Sequence, residues 1–161
     1  MPPAPLTISV GSVTVTFIWT GDRWSHEVVI RDLGTWRSVE GACLGTGDDR
    51  WPDSPVLVEL APLATPRGRA ILGVGKAGRS HFSASVGPDP DHPGQVRFEV
   101  ACRLAEPPVW LGSTYASAGG SVTIRPEAAA PTELPATVQW AYSFGEGGPA
   151  PCEHPGNRSD S

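Results

Sequence analysis

Residues 13–19 read Val-Thr-Val-Thr-Phe-Ile-Trp. In an extended chain, Val13, Val15, Phe17 and Trp19 point to one side, and Thr14, Thr16 and Ile18 to the other, because strand side chains alternate with period two. The pattern returns twice. Val96, Phe98, Val100 and Cys102 alternate with Arg97, Glu99, Ala101 and Arg103; Val138, Trp140, Tyr142 and Phe144 alternate with Thr137, Gln139, Ala141 and Ser143. Runs of this kind, rich in β-branched and aromatic residues, are half-buried strands. No window of a dozen residues carries a 3.6-residue stripe, so no helix longer than about three turns is expected.

Weaker strand signals lie at 24–31, 38–44, 55–61, 70–75, 81–86 and 121–125. The segment 55–61 is ambiguous, since Ser54-Pro55 could also open a short helix. Between the runs stand turn residues, among them Thr20-Gly21-Asp22, Leu33-Gly34-Thr35, Thr65-Pro66-Arg67-Gly68 and the Pro- and Asp-rich stretch 87–94. The 19 Gly and 18 Pro that supply this punctuation leave little room for helices. The expected fold is all-β: an antiparallel β-sandwich, or a partly open barrel, of about eight or nine short strands. A chain of 161 residues fits one domain with a real core. We place that domain at 1–144. The segment 145–161 is nearly free of apolar side chains and is expected to be a disordered tail. The Pro- and Ala-rich stretch 126–135 is expected to be a flexible connection.

The net charge is −5 and the basic residues form no run, which argues against general binding to nucleic-acid backbones. Eleven of the 12 basic residues are Arg, read as codon bias rather than chemistry. No apolar stretch approaches the roughly 18 residues of a membrane span. The opening MPPAPLTISV lacks the charged and apolar regions of a secretory signal. Three cysteines are too few and too odd in number for a disulfide framework. These features lead to the expectation of a cytoplasmic protein without membrane or nucleic-acid partners. Cys43 and Cys102 both fall in expected strands, and buried free thiols are their ordinary reading over an inter-sheet bridge.

Two loops are nearly the same: Thr20-Gly21-Asp22-Arg23-Trp24 and Thr46-Gly47-Asp48-Asp49-Arg50-Trp51. The residues after them differ, which argues against a duplicated unit. Two strand traverses, 24–31 and 38–44, separate the loops and return the chain to the same end of the sandwich. Continued along the chain, the same parity brings Lys76, Arg79 and the loop with Trp110 and Tyr115 to that end. The candidate binding residues are therefore Arg23, Trp24, Asp48, Asp49, Arg50, Trp51, Arg79, Trp110 and Tyr115. Loops on a rigid sandwich are where function usually sits, and Trp, Tyr and Arg anchor binding sites. The competing reading makes the same residues structural, with Asp capping its own turn and Trp plugging the end of the core.

Other patterns are weaker. Gly73-Val74-Gly75-Lys76-Ala77-Gly78 matches the dinucleotide fingerprint, but a strand follows it, so no helix N-terminus is available for a pyrophosphate. It reads instead as a glycine-rich hairpin with backbone packed closely against a neighbour. His26 and His81 are the only plausible catalytic bases, each without an acid at fixed spacing. Asp48, Asp49 and Asp53 could gather around Ca²⁺, but Arg50 sits among them. Cys152 and His154 lack the second ligand pair of a zinc site. No cofactor and no metal is expected. The reading drawn from the residues is a non-catalytic binding module with a site at one loop end. Carbohydrate or another small polar ligand is the first candidate; a protein-interaction or scaffold domain and a small hydrolase are the alternatives.

Overall fold

The alternating segments form strands in the computed structural model, which describes residues 2–41 and 49–152. Twelve strands run in chain order: β1 Leu6–Val10, β2 Val13–Trp19, β3 Trp24–Ile30, β4 Gly34–Ser38, β5 Glu59–Thr65, β6 Gly68–Ala77, β7 Ser80–Pro88, β8 Val96–Leu104, β9 Ser113–Ser117, β10 Gly120–Ile124, β11 Ala136–Gly145 and β12 Gly148–Cys152. They make two antiparallel sheets of six, ordered β1-β2-β3-β4-β9-β10 and β12-β11-β8-β7-β6-β5. The sheets pack face to face as a sandwich, with no helix and no closed barrel among the described residues. No helix there is long and apolar enough to cross a membrane.

The core is the set of inward positions that the alternation marked. Val13, Val15 and Phe17 of β2 meet Val96, Phe98 and Val100 of β8 and Trp140, Tyr142 and Phe144 of β11 in one buried cluster. Phe98 stacks on Tyr142 with ring centroids 4.9 Å apart.

Three strands exceed the expected set. β1 and β12 are five-residue edge strands, β12 built of Gly, Pro, Ala and Cys, and β9 carries only Tyr115 as a large inward side chain. The expectation that the disordered tail begins at Gly145 is corrected. A tight turn at 145–148, with Gly148 at φ +87°, brings the chain back so that β12 pairs with β11 from Ala141↔Cys152 to Gly145↔Gly148. The ladder orders this segment without the apolar side chains that the tail lacks. Residues 153–161, the remainder of the expected tail, lie outside the described set. β4 begins four residues before the expected 38–44, because the turn before it is confined to 31–33, where the Leu33 N–H donates to the Ile30 carbonyl at 3.0 Å; residues 42–44 of that expected strand lie outside the described set.

The ambiguous segment 55–61 resolves into two parts. From Glu59 onward it is strand β5. Before that, Trp51–Leu57 is an extended run of consecutively buried residues. This run bridges the sheets: Trp24 N–H donates to the Leu57 carbonyl at 2.8 Å, and Val58 N–H donates to the Val74 carbonyl at 2.8 Å. It lies against the inner face of β6, where Gly73 and Gly75 supply no side chain. A Cβ at Gly75 would overlap the carbonyl oxygen of Val56. The glycines of the G-x-G-x-x-G match thus serve close backbone packing. Gly75→Ala is expected to lower stability by about 1–3 kcal/mol or more, since overpacking forces backbone apart. An unchanged denaturant midpoint would contradict that packing.

Candidate functional site

The strand count carries both Asp-Arg-Trp loops to one end. The side chain of Arg50 covers Gly78 in the β6–β7 turn and its Nη1 lies 3.5 Å from Glu106 Oε1, just beyond β8. Arg79 is exposed on that same turn. Loop 88–95 lies at the opposite end, near the β1–β2 turn: a Cβ on Gly11 would meet Gly94.

The two loops share an end without forming a cleft of tryptophans. In the first, Thr20 N–H and Oγ1 each donate to the Arg23 carbonyl at 2.9 Å. Arg23 Nη2 closes on Asp22 Oδ2 at 3.0 Å, and this hydrogen bond and charge hold the Asp22 carboxyl below its usual range. Trp24 turns inward, only 7% exposed, with its ring edge-to-face on Trp19 at 5.6 Å. In the second, Asp49 and Arg50 stay exposed while Trp51 is 1% exposed; Asp48 lies outside the described residues. Tyr115 sits mid-strand in β9 and is fully buried. As ligand-stacking rings, Trp24, Trp51 and Tyr115 are therefore corrected to core residues. The cause is the buried run 51–57, which draws Trp51 into the sandwich and seals the end over Trp24.

Beneath this end lies a buried polar chain. His26 Nε2 and the Tyr115 hydroxyl share a 2.6 Å hydrogen bond, and Tyr115 shares another of 2.6 Å with the Tyr142 hydroxyl. The His26 ring is stacked with Phe98 at 5.4 Å and tilted against Phe17 at 5.3 Å. Its Nδ1 has no hydrogen-bond partner. Burial pushes the imidazole down to about 4, pushes the Tyr142 phenol up to about 12, and raises the Tyr115 phenol well above its ordinary value. The His26 backbone N–H donates to Ser38 Oγ at 3.0 Å, which in turn donates to Glu40 Oε1 at 2.9 Å. Burial raises the Glu40 carboxyl to about 7 against the opposing Ser38 hydrogen bond and Arg23 charge. No carboxylate touches the His26 imidazole among the described residues, so this His26–Tyr115–Tyr142 network shows no base–acid contact of the kind a hydrolytic triad uses. His81 is exposed on the outer face of β7.

One aromatic candidate remains in contact with solvent. Trp110, half-buried in the β8–β9 connection, lies beneath the Arg125 guanidinium, whose carbon is 5.4 Å from the ring centroid. Arg125 Nε donates to the Leu111 carbonyl at 3.3 Å, which fixes the guanidinium over the indole. The pair opens onto a groove with about 430 Å³ of empty volume. Its walls are the 108–111 stretch, with Val109 61% exposed, and the 126–131 stretch, with Val138 at the base. The expected flexible connection is thus one wall of the groove. Sequence reasoning found Trp110 and missed Arg125, because residues fifteen apart in two loops carry no shared local pattern.

The remaining motifs do not build sites. No group of three or more His, Cys, Asp or Glu side chains able to hold a metal occurs among the described residues. Asp53 is buried, its backbone N–H donating to the Gly41 carbonyl at 2.9 Å. Cys102 is a fully buried thiol pushed up to about 12 by burial; Cys43 and His154 lie outside the described residues. No protein family, curated protein or solved structure matches the chain.

Proposed function

We propose that this β-sandwich is a non-catalytic binding module that takes an extended protein segment in the groove beside Trp110. One observation carries the reading: Trp110 is a half-buried indole, clamped by Arg125, in a groove whose other side chains are almost all Pro, Ala, Val or Leu. Such a groove resembles the apolar, aromatic-lined tracks that hold extended peptides, with few polar groups to fix orientation. Arg125 supplies one charged fork for a carboxylate or a main-chain carbonyl. A carbohydrate in the same groove would find few partners for its hydroxyls, which favours protein over sugar at this place.

Display of random extended peptides against the whole chain tests the proposal. The expected enrichment is for apolar, proline-containing sequences with one acidic residue, lost in Trp110→Ala and weakened in Arg125→Gln. Equal enrichment on the wild type and on Trp110→Ala would overturn it.

A further inference from the structure

The outer face of the second sheet carries a charge pattern that the sequence order hides. Register places Lys76 of β6 opposite His81 of β7, His81 opposite Arg103 of β8, and Arg103 opposite Thr137 of β11. Neighbouring strands lie about 4.8 Å apart, so three basic side chains cross the sheet in one row. All three are exposed. None forms an ion pair among the described residues. Arg103 Nη1 donates to Thr137 Oγ1 at 3.4 Å. Lys76 and Arg103 thus flank His81 from the two neighbouring strands, and an anion laid across the row would meet all three side chains.

The next row along the same face is Glu59, exposed at the sheet edge, then Val74, Ser83, Ala101 and Gln139. The last four line a shallow trough with about 660 Å³ of empty volume, bounded by Leu72 and Val74 on one side and Gln139 on the other. Glu99 in the trough accepts from Arg97 Nε at 2.8 Å. No aromatic ring lines it.

We propose that this face binds an acidic oligosaccharide, with carboxylates on Lys76, His81 and Arg103 and sugar rings in the trough. Ser83 and Gln139 offer hydrogen bonds to hydroxyls, while Val74 and Ala101 offer a low apolar floor to ring faces. Single-stranded nucleic acid would find the charge but no ring on which to stack its bases. The trough shares no lining residue with the Trp110 groove, and the proposal does not rest on that groove.

Calorimetric titration of the whole chain with oligogalacturonate tests the proposal, with a neutral maltooligosaccharide and oligo(dT) as comparisons. The expected result is binding of oligogalacturonate that weakens with salt and falls by about tenfold or more in Lys76→Gln/Arg103→Gln. Both positions are exposed, and an unchanged thermal midpoint shows that the double variant is folded. The maltooligosaccharide should not bind, oligo(dT) should bind more weakly, and Trp110→Ala should bind oligogalacturonate as the wild type does. The proposal is overturned by absence of oligogalacturonate binding, by undiminished binding in the double variant, by oligo(dT) binding as tightly, or by loss in Trp110→Ala.

Discussion

Trp51→Ala should destabilise the fold by about 3–5 kcal/mol, the usual cost of truncating a buried Trp to Ala. The ring is 1% exposed and begins the run that packs between Trp24 and β6. Its loss would leave a cavity at the end of the sandwich and loosen the cover over Trp24. Trp110→Ala should cost a small part of that, because its ring already faces water on one side. Denaturant unfolding of the two variants side by side checks the contrast. If Trp51→Ala unfolds at the wild-type midpoint, Trp51 is no core residue and the joint site of the two Asp-Arg-Trp loops returns.

A second large effect is expected in the pH dependence of stability. Burial lowers His26 from 6.5 to about 4, so between these values the unfolded chain binds a proton that the folded chain refuses. Stability then falls as the pH drops through this window, by about 3 kcal/mol in all. Glu40 does the opposite. Burial raises it from 4.5 to about 7, so the folded chain holds a proton that the unfolded chain releases, and stability falls as the pH rises through that window. Where the windows overlap, folding takes a proton from one group and gives one to the other, and the two slopes cancel. Glu40→Gln should therefore expose the His26 slope, losing stability relative to wild type on acidification from about 6.5 to 4. His26→Phe should expose the Glu40 slope, losing it on going from about 4.5 to 7. Urea unfolding across this range measures both, and variant curves parallel to the wild type would refute the assignment.

The sandwich was legible in the sequence because period-two alternation is a direct print of one buried face. It marked β2, β8 and β11 almost to their ends, and those strands form the centre of the core. Parity of traverses also brought Arg50 and Arg79 to one end without knowledge of pairing order. The sequence could not tell whether a turn-adjacent Trp points outward. That depends on the run 51–57, whose consecutive burial rests on contacts with β3 and β6 far along the chain. β12 escaped notice because a Gly- and Pro-rich edge strand is held by main-chain pairing rather than by side chains. The basic row of Lys76, His81 and Arg103 was invisible for a related reason: cross-strand register, not sequence proximity, makes them neighbours.

Of the three turn-adjacent tryptophans Trp24, Trp51 and Trp110, only Trp110 is open to a ligand. Oxidative footprinting of the native chain, read residue by residue by mass spectrometry, tests it most directly. Trp110 should be modified rapidly and slowed by a selected groove-binding peptide, with Trp24, Trp51 and Trp140 protected until the chain unfolds. Modification of Trp24 or Trp51 in the native state as fast as that of Trp110 would contradict it.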